Sequence, residues 1–172
     1  MATIEAPVFR FGENVDTDVI VPGQYLKLSY DEVVPHVMAG IRPGFAQEVA
    51  ETGGIILAGK NFGCGSSREA APEALKRAGI KAVIAPFFAR IFYRNAINVG
   101  LPVVECAACI ASAIEEGEWI TVNLDQGIII RQRSNEQWSF PALPSHLQSI
   151  LDAGGLVPYL KRYRSDRQGD MP

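Results

Sequence analysis

Gly53-Gly54-Ile55-Ile56-Leu57-Ala58-Gly59-Lys60-Asn61-Phe62-Gly63-Cys64-Gly65-Ser66-Ser67-Arg68-Glu69 is the stretch that decides how this chain folds. Two glycines break the preceding segment, and Ile55 to Ala58 is apolar at every position. A strand with no alternation is buried on both faces, as in a parallel sheet covered by helices. A glycine-rich turn follows, then a helix over Arg68 to Arg77 with Gly79 as its left-handed cap. Lys81 to Ala85 reads as a second apolar strand and Phe88 to Asn98 as a second helix, ended by Gly100. Pro102 to Glu105 is a third strand. The alternation predicts an α/β fold, a mixed sheet with a parallel βαβαβ part.

Toward the N-terminus, Pro7 to Phe11 reads as a short strand entering the polar turn Gly12-Glu13-Asn14-Val15-Asp16. Asp31 to Met38 and Pro43 to Ala50 read as short helices. Toward the C-terminus the pattern changes: Trp119 to Leu124 and Ile128 to Arg133 flank Asp125-Gln126-Gly127, a hairpin turn. Trp138 to Phe140 adds a strand, and Ser145 to Ala153 and Leu156 to Tyr163 form terminal helices. We expect one domain over residues 1–172, with the tail from about residue 164 frayed.

The 172 residues, 48% of them hydrophobic, suit one core. With 16 basic and 19 acidic residues the net charge is -3, which argues against a nucleic-acid partner. Lys161-Arg162-Tyr163-Arg164 reads as a solvated helix end. There is no secretory signal and no apolar run near the roughly 18 residues of a membrane span, so a cytoplasmic protein without membrane association is expected. Cys64, Cys106 and Cys109 are an odd number, expected as reduced thiols. Cys106 and Cys109 have C-x-x-C spacing. A lone pair cannot close a four-ligand site with only His36 and His146 to help, so no metal is expected on this chain.

The turn at 59–69 falls at the carboxyl end of a parallel strand, where α/β proteins bind ligands. Ser66 and Glu69 fit a capping box, with Ser66 as N-cap. Free N–H groups and the positive end of the helix dipole favour an anion there. Arg68 adds a planar fork suited to carboxylate or phosphate. A serine hydroxyl in this place can act as a base if its alkoxide is stabilised. Two local readings stay open: a cap alone, or an anion cradle with a base. No lysine follows the glycines as a P-loop requires, and Gly-x-Ser-x-Gly is absent. A cysteine hydrolase on Cys64 would need His36 or His146 as its base.

GKNFGCGSSRE at 59–69, with GENVDTDVIVPGQYL at 12–26 before it and FARIFYRNAINVGLP at 88–102 after it, resembles the small subunit of 3-isopropylmalate dehydratase, in the aconitase superfamily. The resemblance runs from about residue 8 to 106. It implies a swivelling β/β/α domain and a hydro-lyase reaction in leucine biosynthesis, isomerising 2-isopropylmalate to 3-isopropylmalate by dehydration and rehydration. It also implies a separate large subunit carrying a [4Fe–4S] cluster as Lewis acid, and a small dicarboxylate substrate. By motif position Ser66 takes the place of the catalytic base, and Ser67 and Arg68 the places of residues that hold the substrate carboxylate. Ala70 departs from the family, in which a histidine is frequent there.

In this family the loop corresponding to Tyr25-Leu26-Lys27-Leu28 contacts the variable part of the substrate. Leu28 suits an isopropyl group, whereas Lys27 either pairs an extra carboxylate or turns to solvent. Homoaconitate, dimethylmalate and methylmalate are therefore alternative substrates. A stand-alone anion-binding or regulatory module is the alternative from another class. Asp16 and Asp18 are expected to order their turn by side chain-to-backbone bonds, with holding Lys27 or Arg68 by charge as the alternative. Arg90 and Arg94 share a helix face, turned to substrate, partner or solvent.

Overall fold

The apolar run after Gly53 lies inside a seven-stranded sheet, next to its first strand. The computed structural model describes residues 3–168. In chain order the elements are β1 (Thr3–Arg10), α1 (Thr17–Ile20), α2 (Tyr30–Val33), α3 (Phe45–Thr52), β2 (Gly54–Leu57), α4 (Ala70–Ala78), β3 (Ile80–Ala85), α5 (Arg90–Val99), β4 (Val103–Glu105), α6 (Ala108–Ala113), β5 (Trp119–Asn123), β6 (Ile128–Arg131), β7 (Gln137–Ser139), α7 (Ser145–Asp152) and α8 (Leu156–Gln168). Single 3-10 turns occupy Gly23–Tyr25 and Val34–His36.

The sheet order is β4-β3-β2-β1-β5-β6-β7. The four strands from β4 to β1 are parallel, and β5, β6 and β7 continue antiparallel. β1 is the seam, pairing Val8 with Ile55 on one side and Ala6 with Ile120 on the other. It starts at Thr3, earlier than the expected Pro7, because its first residues pair with β5 and turn Ile4 and Ala6 inward.

Each sheet face has its own core. On one, Phe9, Ile56, Val83 and Val103 pack with Phe45, Leu75, Phe92 and Ile97 from α3, α4 and α5. On the other, Ile55, Leu57, Ile84 and Val104 join Ile120, Val122 and Ile129 of the antiparallel strands and Ile110 of α6. β2 is buried at all positions, which is why it reads as a continuous apolar run.

Proline accounts for two shifted helices. Pro35 has no N–H, so the segment expected as one helix from Asp31 is split into α2 and a 3-10 turn. α4 begins at Ala70, so Ser66 is not its N-cap and the expected capping box is not formed. A helix that began beside Ser66 would place Pro72 in its interior. There the ring would clash with the carbonyl of Arg68 and one ladder bond would be lost. Starting at Ala70 keeps Pro72 in the first turn, where no N–H is needed.

Gly79 caps α4 in the left-handed region, as expected. α8 continues past Tyr163 to Gln168, and the rest of the tail expected to fray, residues 169–172, lies outside the described residues. Among the described residues no helix is long and apolar enough to cross a membrane.

Candidate active site

Residues 58–69 leave β2 at its carboxyl end and run alongside the segment from Phe11 to Val21. Gly59 N–H donates to the carbonyls of Phe11 and Gly12, and Asn14 N–H donates to Lys60. The Asn61 amide reaches the Asn14 carbonyl oxygen of the side chain at 2.9 Å. Gly63 N–H then donates to Val15 at 2.8 Å, and Thr17 N–H to Cys64 at 2.8 Å. Asp16 and Cys64 sit opposite each other as in a short parallel ladder. A third segment closes the other flank: Asn61 N–H donates to Phe87, and Ala89 N–H to Phe62. The three motifs separated in sequence are thus one structural unit.

Two glycines are required by close approach. A Cβ at Gly63 would run into the Phe92 ring, and one at Gly65 into the Asp16 carboxylate. Both have positive φ, 76° and 87°, which L side chains rarely adopt.

Gly65, Ser66 and Ser67 are exposed. Their three N–H groups donate no hydrogen bond among the described residues. The Ser66 carbonyl is turned inward, accepting from Arg68 N–H at 2.7 Å and from the Thr17 hydroxyl at 3.0 Å. Successive free N–H groups around a left-handed residue make an anion-binding concavity. The donors therefore lie on the loop itself, ahead of α4, and not at the helix start that the Ser66–Glu69 spacing suggested.

Arg68 is largely buried and doubly held. Its guanidinium donates to the Val21 carbonyl at 2.9 Å and forms an ion pair with Asp18. Asp16 caps α1, its side chain accepting from Asp18 N–H at 2.7 Å. So Asp16 orders the turn by a side chain-to-backbone bond, while Asp18 holds Arg68 by charge. The substrate-loop segment begins beside Arg68, since a Cβ at Gly23 would lie 3.7 Å from its guanidinium. Farther along, Leu26 and Leu28 are 42% exposed and Lys27 is exposed. Lys27 makes no hydrogen bond or ion pair among the described residues. Tyr25 anchors this loop by stacking on His36, with ring centroids 4.0 Å apart.

Burial, and secondarily the Asp16 charge, push the Cys64 thiol up from its ordinary range. A neutral thiol is a poor nucleophile, which argues against a cysteine hydrolase at this site. Cys106 is buried, and the Cys109 side chain lies outside the described residues. No three His, Cys, Asp or Glu side chains among the described residues could hold a metal together. The described residues therefore bring together no set of cysteines and histidines such as an iron–sulfur cluster takes. Arg90 and Arg94 are exposed on α5, next to the exposed Phe87 and Ile91.

The sequence reading missed Thr17 as a member of this site. Among the described residues it is the one fully buried polar side chain, at 1% exposure. Its only signal was its place between Asp16 and Asp18.

The sheet and the turn after β2 define an aconitase-type domain: residues 45–108 match the family model of the aconitase C-terminal domain. A 3-isopropylmalate dehydratase small subunit from Heliobacterium modesticaldum is 49% identical over 155 residues, covering 90% of this chain and 92% of its own. The isopropylmalate/citramalate isomerase small subunit of Methanocaldococcus jannaschii is 50% identical, covering 96% and 98%. A methanogen homoaconitase small subunit from Methanothermobacter thermautotrophicus is 48% identical, covering 97% and 96%. The crystal structure of a 3-isopropylmalate dehydratase from Methanocaldococcus jannaschii superposes with a TM-score of 0.91 at 43% identity, covering 99% of this chain and all of that one. The chain belongs to the 3-isopropylmalate dehydratase small-subunit family of the aconitase superfamily.

Proposed function

We propose that this chain is the small subunit of a cytoplasmic hydro-lyase that isomerises 2-isopropylmalate to 3-isopropylmalate in leucine biosynthesis. The observation that carries the reading is the exposed Gly65–Ser67 loop, with three free N–H groups and a pre-positioned Arg68. In this reading Ser66 Oγ removes the proton from the carbon next to a substrate carboxylate. The neighbouring carbon loses its hydroxyl and the alkene forms. Water then returns with the hydroxyl on the other carbon. The loop N–H groups stabilise the negative charge at Ser66, and Ser67 and Arg68 hold the carboxylate. The cluster the family implies belongs to a large subunit, and closure of this domain against it excludes water.

Co-expression with a candidate large subunit tests the proposal. The expected outcome is a co-purifying complex that converts 2-isopropylmalate through an intermediate absorbing as an alkene diacid. A chain that stays alone and binds small anions would instead support the regulatory-module reading.

A second reading keeps the chemistry and changes the substrate to homoaconitate, dimethylmalate or methylmalate. It is favoured by the exposed Lys27 and by near-equal identity, 48–50%, to relatives named for different substrates. Lys27→Ala in the complex separates the two. If Lys27 pairs a third carboxylate, tricarboxylate turnover falls about tenfold while isopropylmalate turnover is kept. A strong preference for 2-isopropylmalate over all three, unchanged in Lys27→Ala, would remove this second reading.

A further inference from the structure

We infer that Thr17 is a positioning residue for the Ser66–Ser67 peptide, an inference that rests on the reading of Ser66 as the base. Both of its donors are spent on the loop. Its N–H reaches the Cys64 carbonyl at 2.8 Å and its hydroxyl the Ser66 carbonyl at 3.0 Å. It is fully buried, although α1 is a single short turn that could equally have carried a valine in that place. Burying a hydroxyl is unfavourable unless it is hydrogen-bonded, and this one has the Ser66 carbonyl as its partner.

The consequence follows from peptide geometry. The peptide bond is planar and trans, so its C=O and N–H point in opposite directions. Holding the Cys64 and Ser66 carbonyls toward Thr17 turns the N–H groups of Gly65 and Ser67 away from it, to the exposed side of the loop. Those are two of the three donors left free for an anion. Without the Thr17 hydroxyl, the Ser66 carbonyl keeps only the bond from Arg68 N–H, two residues on. The 66–67 peptide is then free to rotate. Its N–H leaves the anion site and the Ser66 hydroxyl moves with it. Thr17 touches no substrate and acts through the loop.

The test uses the assembled large–small subunit complex with its substrate. Thr17→Val keeps the shape and removes the hydroxyl. It should lower kcat about 10- to 100-fold with KM little changed, because a displaced reacting group costs rate more than ground-state binding. Thr17→Ser restores the hydroxyl and should return kcat to within about threefold of the parent. Thr17→Cys serves where the valine variant fails to assemble, since a thiol fills the place as a far weaker donor. It should show the same kcat loss with normal complex formation. Full kcat in Thr17→Val or Thr17→Cys overturns the inference, as does a Thr17→Ser variant as slow as Thr17→Val. Ser66→Ala is run in parallel: full turnover there sinks the base assignment itself, whereas an inactive Ser66→Ala beside an active Thr17→Val sinks only the role of Thr17.

Discussion

The two halves of the sheet treat their polar groups in opposite ways. In the parallel half, the segment after β2 leaves the Gly65–Ser67 donors and the Ser66 hydroxyl in the open and without partners among the described residues. In the antiparallel half, polar groups close on one another. Arg131, on β6, lies between Glu118 at 3.4 Å and Glu136 at 2.9 Å and over the Trp138 ring. Arg133 approaches Glu118 from the other side at 3.4 Å. Donors left exposed on a loop can take an anion, whereas paired charges against a strand hold strands together. The difference predicts that damage in the first half costs turnover and damage in the second costs stability.

The largest effect should come from Ser66→Ala. Its side chain is exposed and its hydroxyl makes no hydrogen bond among the described residues, so removing it should leave the fold alone. Loss of a positioned base should lower turnover of the complex by about 10²- to 10⁴-fold. A melting temperature that falls along with the rate would blur the comparison, and an unchanged rate would break it.

Arg131→Met should do the reverse. Glu118 and Arg131 are about nine-tenths buried, and two of their atoms lack a well-formed hydrogen bond although the charges are paired. Removing one partner strands the other, at a cost of roughly 3–5 kcal/mol for a fully buried pair. Arg133 still reaches Glu118, so about 2 kcal/mol of lost stability is expected in urea unfolding. Turnover per folded complex should stay at the parent level. A lowered kcat at unchanged stability would show that the two halves are not separable in this way.

The parallel half was also the more legible half from sequence. Ile55 to Ala58 and Ala82 to Ala85 are apolar runs too short for helices, and the glycines at 79 and 100 mark where the crossover helices end. Ser66 and Arg68 could be singled out because their chemistry is local. What stayed hidden depends on partners far along the chain. The start of β1 at Thr3 needs β5, and the hold on Arg68 needs Asp18 and Val21. The role of Thr17 needs a carbonyl 49 residues away. The capping box failed for a local reason that could have been read: Pro72 lies too close behind Ser66 for the helix to begin there.

Cys64 gives the smallest effect and the finest test, because it lies in the open half yet behaves as a closed group. Its neighbours push its thiol up, burial first and the Asp16 charge second, so at neutral pH it is protonated. Alkylation needs the thiolate. Iodoacetamide should therefore modify Cys64 slowly at pH 7, with a rate that climbs only above the ordinary thiol range. In Asp16→Asn the second cause is gone and the cap acceptor for Asp18 N–H is kept. Its inflection should move down, but only part of the way, because burial remains. An inflection at or below that of an unfolded thiol would mean the Gly63–Arg68 loop opens far enough in solution to wet Cys64. The donors on that loop would then not be pre-positioned, and the contrast between the two halves of the sheet would rest on Arg68 alone.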